Sequence, residues 1–292
     1  DSSLTNALLT GELDGTYHAP YGALDRLEGS DSGALYLGQS LIQFDLIHAR
    51  SDGPLQDVRI RQALSMALDR DAIADTAFAG AAVPARTLVA QGAYSYAKDV
   101  YQAAWDALGP IPYDLEAAKA LVAEVGDVDK IVFAYPTGGP SYNDQVAVAV
   151  QAAAGQIGLQ VELKGVPVGE YDNLLLDESA RTGVDLLETA WYIDVAEPLV
   201  MYTQFLPGVS VWNASGYEND IVTDNVELAA TLQDPVERAK ALVKVEAQVA
   251  EDLPWIPLVQ VANTLYMNNR VSGAPASFVQ NYYPWLPDLG AR

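Results

Sequence analysis

Six side chains between positions 185 and 197 have types and spacing that could do chemistry: the carboxylates of Asp185, Glu188, Asp194 and Glu197, and the rings of Trp191 and Tyr192. They lie in VDLLETAWYIDVAEP, Val184 to Pro198, an apolar run that breaks into a polar loop after Ala190. A carboxylate in a poorly solvated cleft can hold a cationic group through charge-assisted hydrogen bonds worth about 1.5–3 kcal/mol, and Asp194 is the candidate for that role. Trp191 and Tyr192 offer flat apolar walls with polar edges. Trp212 and Asn213, in a turn-rich loop over 204–215, would add a further ring and an amide. Glu197 precedes Pro198 and reads as a helix cap. Paired carboxylates could instead hydrolyse a glycosidic bond. Asp185 and Glu188 are poor partners for that chemistry, because residues three apart on a strand face opposite sides.

The elements that must position these groups follow from periodicity. Runs at 131–135, 159–163 and 184–190 are rich in β-formers, and helical patterns over 145–157 and 167–178 separate them. Strands alternating with helices imply βαβ units, so the fold class is α/β, with a mixed, mostly parallel sheet flanked by helices. Ligands in such sheets bind beyond the carboxyl ends of the strands, where the loop after Ala190 falls. Upstream, a short helix over 5–11 precedes a strand over 40–48 and a turn at 51–54. Asp57 should cap a helix with apolar residues at 60, 63, 64, 67 and 68, and Asp69 a second one ending near Gly80. An irregular excursion over 84–112 holds a short helix at 101–108. Asp114 should cap a helix stopped by Gly126. Downstream come a helix over 219–232, a helix opened by Asp234-Pro235-Val236-Glu237, and a strand over 256–266. The tail carries Tyr282, Tyr283, Pro284 and Trp285 and reads as a packed irregular end.

Composition narrows the function. A formal charge of −23 on 292 residues argues against a nucleic-acid partner, whose phosphates need Lys and Arg. Cysteine is absent, which removes disulfides, thiolate metal sites and cysteine catalysis. His18 and His48 are the only histidines, so a metal site is poorly supported. Arg59 and Arg61 lie beside a capping acid and are expected to pair locally rather than meet a ligand. The Gly138-Gly139 pair fits neither G-x-x-x-x-G-K-S/T nor G-x-G-x-x-G and reads as a strand-to-helix turn. There is no G-x-S-x-G or H-E-x-x-H, so no catalytic residue and no cofactor are assigned. No run of eighteen apolar residues would span a membrane. The chain opens Asp1-Ser2-Ser3 without a basic, hydrophobic leader, and any signal peptide is expected to be gone already.

Several stretches resemble one family. Trp191-x-x-Asp194-x-x-Glu197-Pro198 is similar to the ligand loop of family 5 solute-binding proteins, the receptors of peptide and nickel ABC importers. Asp57-Val58-Arg59-Ile60-Arg61-Gln62-Ala63-Leu64, followed by Ala67-Leu68-Asp69-Arg70, resembles a signature of the same family. Ile157-Gly158-Leu159, Asn213 with Gly216-Tyr217, and Leu253-Pro254-Trp255-Ile256-Pro257-Leu258 follow in family order. The resemblance covers about the second half of a usual member. It implies a type II periplasmic-binding-protein lobe with a remnant of the first lobe at 1–49, the second lobe at 50–258 and a return segment at 259–292. It further implies an extracytoplasmic, non-enzymatic monomer, periplasmic or anchored as a lipoprotein, that hands peptides to a membrane permease and holds their α-amino group on Asp194. The family often has Asp-Tyr-Pro-Asp-Pro where this chain has Asp194-Val195-Ala196-Glu197-Pro198, which leaves the ligand class open. A carboxylate-dependent hydrolase such as a glycosidase, and a sensor built on the same fold, are the alternatives.

Overall fold

The computed structural model describes residues 2–208, 210–279 and 284–291. The first part of the chain forms α1 (Ser2–Thr10), β1 (Gly15–Tyr17), α2 (Leu24–Glu28), β2 (Gly33–His48), α3 (Val58–Ala67), α4 (Arg70–Phe78) and β3 (Ala82–Pro84). The middle forms α5 (Lys98–Leu108), α6 (Leu115–Val125), β4 (Ile131–Thr137), α7 (Ser141–Gln156), β5 (Val161–Pro167), α8 (Val168–Leu176) and β6 (Leu186–Tyr192). Then come α9 (Pro198–Tyr202), α10 (Asp220–Thr231), α11 (Pro235–Asp252), β7 (Trp255–Asn268), β8 (Val271–Ser272) and β9 (Gly290–Ala291).

Local chemistry sets the helix starts. Asp57, Asp69, Asp114 and Asp234 each accept backbone N–H bonds at the head of α3, α4, α6 and α11, which satisfies donors that would otherwise be orphaned. The sheet runs β1-β7-β2-β6-β4-β5, with β3 also on β7. It is mixed: β5, β4 and β6 are parallel, as the βαβ pattern implies, whereas β2, β7, β1 and β3 pair antiparallel. Alternation then divides the apolar side chains. Leu46, Phe133 and Leu186 face a core with α3, α4, α6 and α7, while their neighbours Ile47, Ala134 and Leu187 face a second core with α5, α8, α9, α10 and α11.

Among the boundaries that differ from expectation, two are set by remote strand partners. β2 starts at Gly33, because residues 33–39 find a long-range partner in β7. β6 continues through Trp191 and Tyr192, because β2 pairs Gln43 and Ile42 opposite them, so the loop begins at Ile193. In the tail, Tyr282 and Tyr283 lie outside the described residues. Trp285 packs on Tyr17, its ring centroid 5.8 Å away.

Candidate ligand-binding cleft

The parallel strands β4 and β6 end together, and beyond them opens a cleft of about 630 Å³. The turn after β4, the start of α7, one face of α8 and the loop after β6 bound it. Position makes this the candidate ligand site of such a sheet. Pro136 and Pro140 line it, so the Pro-Thr-Gly-Gly-Pro segment is a strand-to-helix turn at the cleft edge. No side chain caps α7 at its Pro140 end, which leaves the positive end of that helix dipole at the cleft.

Asp194 lies in the loop after β6 and is exposed to the cleft. Its carboxylate makes no hydrogen bond or ion pair among the described residues, so it is available to a ligand. The last two residues of β6 point to opposite sides. Tyr192 is 45% exposed in the cleft. Trp191 is half-buried between Trp212 and Trp255, edge to face at 4.6 and 5.4 Å. Both Trp191 and Trp212 line the cleft, and the Trp191 indole N–H has no hydrogen-bond partner among the described residues.

Asn213 is not brought to the cleft. Its amide donates to the Tyr217 carbonyl at 2.8 Å and accepts from the Tyr217 N–H at 2.7 Å, so its polar atoms close a turn. Glu197 is the cap expected of it: it accepts from the Leu199 N–H at 3.1 Å and the Tyr96 hydroxyl at 2.7 Å, and pairs with Arg238 at 3.2 Å. Arg59 pairs with Asp57 at 2.6 Å. Arg61 binds carbonyls rather than an acid, donating to Leu55 O and Asp252 O, each at 2.6 Å.

The remaining acids separate as alternation requires. Asp185 sits just before β6, where it accepts from Arg50 Nε at 2.6 Å and the Val132 N–H at 2.8 Å, and it does not line the cleft. A Cβ at Gly53 would lie 2.5 Å from Asp185 Oδ1, so a side chain there would break this knot. Glu188 does line the cleft and is 1% exposed, with both carboxyl oxygens unpartnered among the described residues. Burial, reinforced by Asp144, pushes its pKa well above the carboxylate range. Periodicity separated Glu188 from Asp185 but did not mark it for the cleft; its one signal was a charged residue inside Leu-Leu-Glu-Thr. Asn143, Tyr171 and Asp172 also line the cleft, and no sequence motif flagged them. Among the described residues, no Lys, Arg or His lines it. Among the described residues, no group of three or more His, Asp or Glu side chains is placed to hold a metal.

An α/β sheet with a sizeable cleft at its strand ends, aromatic walls and unsatisfied carboxylates defines a ligand-binding lobe. The family model of bacterial extracellular solute-binding proteins, family 5 (middle), matches residues 1–212, and the chain belongs to that family. It is similar to the glutathione-binding protein GsiB of Escherichia coli strain K12, 27% identical over 276 residues, covering 89% of this chain and 50% of the relative. GsiB of Shigella flexneri serotype 5b is 27% identical over 277 residues with the same coverage. The chain thus spans about half the length of the curated relatives it matches. Among solved structures, the ABC transporter substrate-binding protein CtaP of Listeria monocytogenes superposes with a TM-score of 0.83 at 20% identity, over 100% of this chain and 58% of that one. Periplasmic DppA of Helicobacter pylori, in complex with a peptide, gives 0.82 at 20% identity over 99% and 55%. These likenesses establish the type II periplasmic-binding-protein fold.

Proposed function

We propose that this chain supplies one wall of the ligand cleft of an extracytoplasmic receptor that delivers peptides to an ABC permease in the membrane, acting as a monomer and without catalysis. The observation that carries this reading is Asp194: a free carboxylate at the strand ends, beside aromatic walls, in a cleft that no basic side chain lines among the described residues. An α-amino group is its natural partner, while the rings cover the peptide's apolar surface. Membership in the solute-binding family and the peptide held by a structural neighbour support the same ligand class. In this proposal residues 50–258 form the second lobe, and 1–49 and 259–292 belong with the opposing one, joined through the long strands β2 and β7. The glycosidase alternative, which could draw on Asp185, Glu188 or Asp194, loses Asp185, which is tied to Arg50 and lies off the cleft, and the relatives that the chain matches are named as binding proteins. No observation favours the sensor.

The test is calorimetric titration of short peptides into the full-length protein. Asp194→Ala should weaken binding about 10- to 100-fold, roughly 1.4–2.8 kcal/mol, and N-acetylation of the peptide should do the same to the wild type. Unchanged affinity in both experiments would remove Asp194 as the amino-group site.

A further inference from the structure

Glu188 interrupts an apolar run of β6 at the wall of the cleft, with a carboxyl for which the described residues supply no hydrogen-bond donor. A buried, unpaired carboxyl is costly, and neighbouring groups ordinarily supply donors to it. Here they do not. On α8, the Tyr171 hydroxyl donates instead to the backbone carbonyls of Glu188 at 2.7 Å and Ala134 at 3.1 Å. Across the strand pair, Glu188 stands opposite the apolar Leu46. The titratable groups that face it are Tyr142 and Asp144 on α7, Tyr171 on α8 and Tyr135 on β4, none of them cationic. With no basic side chain among the described residues lining the cleft, and Asp172 and Asp194 also on its wall, a full positive charge for Glu188 would come with the ligand.

We propose that the Glu188 carboxyl seats a cationic group of the ligand, an ammonium or guanidinium separate from the α-amino group at Asp194, so that the site selects peptides with a basic side chain. This rests on the peptide reading above and adds the side-chain class. Opposite charge lowers a carboxyl pKa by about 1–3 units, against the rise that burial causes. A basic peptide should therefore expel a proton from Glu188 on binding, whereas a neutral one should leave it in place.

The experiment compares alanine tripeptides carrying lysine at one position with the same peptides carrying norleucine, its uncharged isostere. They are titrated into the full-length protein in buffers of different ionisation enthalpy, so that proton release is read directly. At one position lysine should bind at least about tenfold more tightly than norleucine, with net proton release across part of the pH range in which the protein is folded. Glu188→Gln should abolish both the preference and the release. Should that variant fold poorly, the wild-type proton count decides alone. Equal affinity for lysine and norleucine at every position, with Asp194-dependent binding intact, would overturn this inference and leave the peptide reading standing. If no tripeptide binds, the peptide reading falls, and cadaverine and agmatine are titrated next. Glu188-dependent binding of either supports the cation site, and failure of both overturns it.

Discussion

Glu188 and Glu246 are both buried carboxyls, and what faces each sets its role. Glu246, on α11, accepts a 2.6 Å hydrogen bond from the Tyr94 hydroxyl, and Tyr94 in turn stacks on Tyr101 at 4.6 Å. It lines no part of the cleft and serves to fasten α11 to the excursion before α5. Burial raises its pKa from 4.5 to about 6, with the Tyr94 bond working against the shift. The native state then holds this proton more tightly than the unfolded chain does. The resulting stabilisation is complete below about pH 4.5 and disappears as pH rises through about 6. Wild type minus Glu246→Gln should therefore lose about 2 kcal/mol of relative stability across that window, measured by urea unfolding at a series of pH values. A difference that stays flat with pH would mean Glu246 titrates normally. At this scale the sequence was only partly legible. The caps could be read because an acid just before a helical stripe has few other uses, and Asp194 could be placed in the loop after a strand. Asn213 could not, since a distant motif match says nothing about the Tyr217 backbone groups that occupy its amide. Glu188 could be assigned to a strand face, but which face opens on solvent is decided by how α7 and α8 pack.

Elements whose signals are local were recovered, and those fixed by remote partners were not. The α3 stripe is an instance of the first kind: Ile60, Ala63, Leu64, Ala67 and Leu68 are all buried in the core with α4, α6 and α7. Leu64→Ala should cost about 2–5 kcal/mol, measured by denaturant melts. A loss below about 1 kcal/mol would show that neighbouring side chains collapse into the space. At the head of α11, Asp234 accepts from the Val236 and Glu237 N–H groups at 2.8 and 3.0 Å. Asp234→Ala should cost about 1 kcal/mol, while Asp234→Ser should be nearly silent. Against these stand the extension of β2 back to Gly33 and of β6 through Tyr192, each dictated by hydrogen bonds to a strand far away in sequence. The five-residue α9 carries Pro198 at its start but is too short for periodicity to show.

For the molecule as a whole, the three-layer arrangement was legible from the βαβ rhythm, but the antiparallel half of the sheet was not. That half exists because β7 returns between β1 and β2, a choice of topology that no local pattern encodes. Charge is the other global property. At −23 the chain repels itself, and salt screens such repulsion. Raising sodium chloride from low to moderate concentration should lift the melting temperature by a few degrees, and a fall would show that local ion pairs such as Arg50–Asp185 outweigh the repulsion. The course of β2 and β7 bears on how this protein is made. Each runs the length of the sheet, and Leu35 lies against Tyr266. During synthesis β2 leaves the ribosome well before its main partner β7, because everything from α3 to α11 lies between them. Until then the sheet has an open edge and the polypeptide stays unlocked, the state in which a chain can still be threaded through a translocation pore. Closure of this strand pair ties together two stretches far apart in the chain, and a chain so tied is no longer an extended thread.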